Sequence, residues 1–160
     1  MRLIAAVLVC VALAACGPGV AAPRTLTAQK AWARSSVPGA QDGVAYLTVT
    51  SPTTDLMVGV TVPASVAAKV EMHESMGEAG EPAMANMPEM DGANGTMTMM
   101  PLPGVDLPAG KTVALRPGAK HLVLKRLAAP LVAGTTFILT IKTGAGQTVD
   151  TSVTVRDNPP

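Results

Sequence analysis

The sequence predicts an all-β domain, a sandwich or small barrel with Greek-key connections, on three observations. Short segments rich in β-branched residues follow one another along most of the chain, turn dipeptides fall between them, and no apolar stripe at helical spacing competes. No internal repeat is visible. The chain has 160 residues, 48% of them hydrophobic and 14% charged, which is enough apolar material for a core and short enough for a single domain.

The elements follow in order. Residues 1–16 read MRLIAAVLVCVALAAC, one positive charge followed by an apolar run and small residues, the anatomy of a secretory leader and too short to span a bilayer. The ending Leu13-Ala14-Ala15-Cys16 before Gly17 resembles the bacterial lipobox, which makes Cys16 the expected lipidation site; the alternative is an ordinary signal peptide cut nearby. Residues 17–25 are small, nearly uncharged and contain Pro and Gly, and read as a flexible tether. The domain proper is expected over 26–156, followed by a short tail at 157–160.

Candidate strands are Leu26–Arg34, Gly43–Thr50, Leu56–Val62, Ala68–His73, Thr96–Met100, Thr112–Leu115, His121–Leu127, Thr135–Thr143 and Thr148–Val155. Alternation is clean in the last, with Val149, Val153 and Val155 on one face, and imperfect in the eighth, where Ile138 interrupts the polar face. Pro38-Gly39, Pro103-Gly104, Pro108-Ala109-Gly110, Pro117-Gly118 and Gly144-Ala145-Gly146 mark turns. Residues 77–95, GEAGEPAMANMPEMDGANG, cannot continue a strand and are expected to form a long surface loop.

Composition excludes several functions. Beyond residue 16 acids and bases balance, and with one Trp, one Tyr and one Phe the chain lacks both the basic footprint and the stacking rings of a nucleic-acid binder. Cys10 lies in the leader, and if Cys16 carries lipid the folded domain has no thiol for a disulfide, a nucleophile or a thiolate metal site. No Ser-His-Asp set or phosphate-binding loop is identifiable, and an enzyme is not expected.

What remains is sulfur and imidazole. Eight of the ten methionines fall within residues 72–100, and the two histidines, His73 and His121, sit at strand ends. Met57 and Met72 lie in apolar strands and read as core filler. Met84, Met87 and Met90 recur every third residue among Glu, Pro, Asn and Asp, where there is little core to fill; oxidant scavenging is their other reading. Neutral thioether combined with imidazole selects Cu(I) over Zn, Ca or Mg, and thioether ligation persists where imidazole becomes protonated.

On these residues the chain resembles the PCuAC family of periplasmic copper chaperones over about residues 26–156. The resembling stretches are AWARSSVPGAQDGVAYLTVT (31–50), Val70-Glu71-Met72-His73-Glu74-Ser75-Met76, Gly95-Thr96-Met97-Thr98-Met99 and LRPGAKHLVL (115–124). The family motif is His, an optional Met, ten residues, Met, twenty-one residues, His, one residue, Met. His73 matches the first His, and residues 100–120 give Met99 and His121 the required spacing. Two departures stand out. Twenty-five residues separate His73 from Met99, and the final Met is Val123, a hydrocarbon that cannot ligate copper. The extra residues contain Met84, Met87 and Met90, which are expected to supply the missing ligand; Met76, Met97 and Met100 are weaker candidates, with Met100 on the face away from Met99.

The resemblance implies a cupredoxin-like sandwich, anchored by lipid in the bacterial envelope facing the periplasm or exterior. It also implies Cu(I) as cargo, passed by ligand exchange toward cytochrome oxidase assembly. The acceptor would be the copper subunit itself or another chaperone. A copper buffer or resistance lipoprotein is the nearest alternative in chemistry. An envelope structural or interaction lipoprotein that has lost its metal is the alternative that Val123 favours.

Overall fold

The computed structural model describes residues 25–76 and 98–160. The leader, Cys16, nearly all of the tether and the methionines at 84, 87, 90 and 97 lie outside the described residues. The described residues form ten strands: β1 Thr27–Arg34, β2 Asp42–Thr50, β3 Asp55–Thr61, β4 Ala67–Met76, β5 Thr98–Leu102, β6 Val105–Leu107, β7 Thr112–Leu115, β8 Lys120–Leu127, β9 Thr136–Thr143 and β10 Thr148–Arg156. Among the described residues there is no helix.

Nine strands fall where the β-branched segments predict them. The exception is β6, three residues enclosed between Pro103-Gly104 and Pro108, where turn signals on both sides hide it. Its Val105 and Leu107 are nonetheless buried, because Asp55–Met57 of β3 pair with it and close that end of the core.

All ten strands join one hydrogen-bonded sheet in the order β5-β4-β8-β2-β1-β10-β9-β3-β6, with β7 pairing β2 beside β8. Only β1 and β10 run parallel; the other pairings are antiparallel. The non-sequential order requires the crossovers of Greek-key architecture, and the sheet curls until its inner face encloses a core. Ala45, Leu47 and Val49 of β2, Leu122 and Leu124 of β8, Leu139 and Ile141 of β9, and Val153 and Val155 of β10 are the fully buried alternate positions. Met57 and Met72 fill core space as expected, whereas Ile138 remains 48% exposed.

Strand β2 divides its partners, giving residues 42–45 to β8 and 47–50 to β7. Gly43 permits close packing there, since a Cβ at that position would lie 2.8 Å from Leu131 Cδ1. The alternate face of β2 and β8 carries Val44 and Val123, directly paired, and beside them Asp42 and Lys125. This outer face, opposite the core, is where the chemically interesting residues collect.

Candidate metal centre

Strand register brings the two histidines together. β4 runs antiparallel to β8 with His73 directly opposite His121, so both rings stand on the outer face while Met72 and Leu122 turn inward. Their ring centroids are 6.1 Å apart, with the planes inclined at 41°. A metal held by about 2 Å bonds to a nitrogen of each ring spans such a gap.

The state of each ring follows from its partner. His73 Nε2 lies 3.1 Å from Glu71 Oε2. An ionised carboxylate only accepts, so that nitrogen carries the proton and donates. Glu71 is held in its charged form: hydrogen bonding to the Lys69 ammonium and then to His73 lowers its carboxyl below the ordinary value. His121 Nδ1 lies 2.9 Å from the Ala119 carbonyl, which again can only accept. That leaves Nδ1 of His73 and Nε2 of His121, and among the described residues these two atoms are buried with no hydrogen-bond partner. A buried polar atom without a partner is costly, and two of them on facing rings form a pair that one soft cation could satisfy. Both rings are tautomerically set by a neighbour, as ligating imidazoles ordinarily are.

A thioether stands on the next strand, β5. Ser75 pairs with Met99, which places Met99 on the same face as His73, two residues along the neighbouring strand; Met100 takes the opposite face. Met99 is 57% exposed, whereas His121 is 3% exposed. Among the described residues no three His, Cys, Asp or Glu side chains gather as a metal site, and the Met99 thioether is the soft donor type present on this face.

Met99 and His73 line a cleft of about 400 Å³ together with Val123, Val44, the Asp42–Lys125 ion pair and the connection from Arg34 through Val37. Sequence reasoning placed Val123 on the His121 face and expected a ligand to be missing there; Val123 does lie on that face, 7% exposed, as one wall of the cleft. The wall made by residues 34–37 was not foreseen, because Arg-Ser-Ser-Val contains no metal-ligating side chain. Its only signal was membership of the resembling stretch 31–50. Of the expected site residues, then, His73, His121 and Met99 share one face, and Met84, Met87 and Met90 lie outside the described residues.

Known proteins share this architecture. The copper-bound PCuAC domain from PmoF2 superposes with a TM-score of 0.60 at 17% identity, covering 84% of this chain and 94% of that one. The solution structure of CuI-DR1885 from Deinococcus radiodurans matches with a TM-score of 0.57 at 25% identity, over 88% of this chain and 84% of that one.

The chain has a PCuAC fold. The family model described as "Putative lipoprotein LpqE-like" matches residues 83–155. "Putative lipoprotein Lxx21020" of Leifsonia xyli subsp. xyli is 29% identical over 128 residues, 80% of this chain and 68% of that protein. In this PCuAC fold, the paired histidines stand on two hydrogen-bonded neighbours, β4 and β8, and the exposed methionine on the strand beyond them.

Proposed function

We propose that the protein is a Cu(I) carrier of the bacterial cell envelope, not an enzyme, and that His73, His121 and Met99 hold the ion. The observation that carries this reading is the pair of buried nitrogens on facing imidazoles, Nδ1 of His73 and Nε2 of His121, that find no hydrogen-bond partner among the described residues. Two neutral nitrogens and a thioether suit a soft monovalent ion and give a hard divalent one neither charge nor oxygen. The copper named for PmoF2 and DR1885 on the same fold supports the same ion.

Val123 leaves the sphere one sulfur short of the family pattern, and we assign the missing thioether to Met84, Met87 or Met90 of the 77–95 insertion. Such ligands are individually weak, so copper leaves by stepwise exchange with ligands of an acceptor. A cytochrome oxidase copper subunit or another copper chaperone is the acceptor that the family resemblance implies. Acylation of Cys16 would anchor the carrier at the membrane, in keeping with the lipoprotein descriptions of its sequence relatives.

Titrating reduced protein with Cu(I) against a competing chelator tests the reading. One equivalent should be withheld from the chelator, and His73→Leu or His121→Leu should abolish this. Absence of stoichiometric uptake would leave the second reading, favoured by Val123, of an envelope lipoprotein that no longer binds metal.

A further inference from the structure

The cleft beside the histidines has a composition that copper ligation does not explain. Its hydrocarbon comes from Val37, Val44 and Val123, and its charge from Arg34, Asp42 and Lys125. Asp42 and Lys125 are tied to each other across β2 and β8. Arg34, exposed, forms no ion pair among the described residues, and its ladder neighbour on β10 is a second arginine, Arg156. Asp157, two residues beyond the β10 partner of Ala33, accepts a hydrogen bond from the Ser35 hydroxyl and forms no ion pair with Arg34. The cleft lining therefore carries one uncompensated cation, to which bound Cu(I) adds a second positive charge.

A volume of about 400 Å³ lies in the range of small-molecule sites rather than of a protein's docking face. Its apolar walls accept a methylene chain. Val123 presents a hydrocarbon where the family pattern has a ligand sulfur, so on that side an incoming donor competes with no ligand from β8 itself. A donor able to take copper from imidazole and thioether must be soft, and one drawn by Arg34 must be anionic.

We infer that this cleft binds a small anionic thiol of peptide size, and that the thiol enters the copper sphere from the Val123 side. The inference rests on the copper reading above, and names the ligand that begins exchange. In the exchange the thiol gives its proton to water, its sulfur bonds to copper, and the Met99 sulfur departs as a neutral thioether. Copper stays monovalent throughout, so no oxidant or reductant is needed.

The test uses the full chain and two arms. In the first, the Cu(I)-loaded protein is mixed with glutathione, a net anion bearing two carboxylates, or with neutral 2-mercaptoethanol, and copper release is timed with a chromogenic acceptor. Arg34→Glu should slow release to glutathione by about fivefold, with a smaller effect at high salt, and leave release to 2-mercaptoethanol and the Cu(I) affinity unchanged. Arg34→Gln should fall between. In the second arm, S-methylglutathione, which cannot ligate as a thiolate, is titrated into the metal-free protein and followed by backbone amide shifts. Shifts should centre on Val37, Val44 and Val123 and disappear in Arg34→Glu.

Equal slowing of both thiols, indifference to Arg34, or an absence of shifts in the cleft overturns the inference. Failure to take up copper while S-methylglutathione still binds would instead overturn the copper reading and leave the cleft standing as a peptide-thiol site.

Discussion

His73 and His121 occupy the same rung of the β4–β8 ladder, and each ring spends one nitrogen on an acceptor two residues earlier in the chain, Glu71 within β4 and Ala119 in the turn just before β8. Each imidazole is thus set by its own local segment. Register alone then brings the unspent nitrogens to the same rung.

Removing the acceptor at Glu71 should release the His73 ring without removing a ligand. Glu71→Leu is expected to weaken Cu(I) binding by about 10- to 100-fold, as loss of a ligand's hydrogen-bonding partner generally does. Glu71→Gln retains a carbonyl acceptor and should cost less. Competition titration with a Cu(I) chelator reads both, and equal affinities for all three proteins would deny Glu71 a positioning role.

Restoring the family's sulfur tests the compensation. Val123→Met should tighten Cu(I) binding by roughly tenfold, about 1.4 kcal/mol, since the cleft beside Val123 has room for the longer side chain. The triple replacement of Met84, Met87 and Met90 by Leu should weaken the parent protein by a similar factor. In the Val123→Met background the same triple change should do little, because the vacancy is already filled. Strict additivity in this double-mutant cycle would show that the loop sulfurs and position 123 are not alternatives.

The Asp42–Lys125 pair gives stability a pH window. A hydrogen bond from the Lys125 ammonium and then one from the Arg126 backbone N–H hold the Asp42 carboxyl below its ordinary 3.8. The same hydrogen bond to Asp42 raises Lys125 above 10.5. A lowered carboxyl adds stability that is present above its ordinary value and lost as pH falls through the depressed one. A raised ammonium adds stability present below its ordinary value and lost as pH climbs through the elevated one. Urea unfolding of Asp42→Asn should therefore show shallower losses at both the acid and alkaline ends than the parent. Parallel curves for the two proteins would contradict the assignment. The pair is largely exposed, so its effect at neutral pH should be small.

Leu122 lies between His121 and Val123 on β8 and is fully buried on the core side. Leu122→Ala should lower unfolding stability by about 3 kcal/mol, the ordinary cost of a core cavity of that size. Chemical denaturation measures this directly. A loss below about 1 kcal/mol would mean that the core beneath the histidines collapses readily to fill the space.

Much of this was legible in the residues because strand alternation and turn chemistry are local. The faces of β9 and β10, including the outlier Ile138, follow from period-two reading alone. β6 did not, since three residues between proline turns carry no period and acquire their strand conformation from pairing with β3. The facing of His73 and His121 is a matter of long-range register, which no local pattern specifies; it was reachable only as part of a family motif. The cleft was less visible still, because Arg34, Val37, Val44 and Lys125 are ordinary surface types until the β2–β8 pairing and the β1–β2 connection gather them.

Position in the sheet would also divide the labour among the three proposed donors. β4 and β8 each have a bonded neighbour on both sides, whereas β5, which bears Met99, closes the sheet at one end with β4 as its sole partner in the described strand order. Imidazoles on doubly braced strands hold still while a sulfur on the singly braced margin gives way. A cargo ion would thus loosen from its outermost bond first, keeping two anchors until a successor has taken hold.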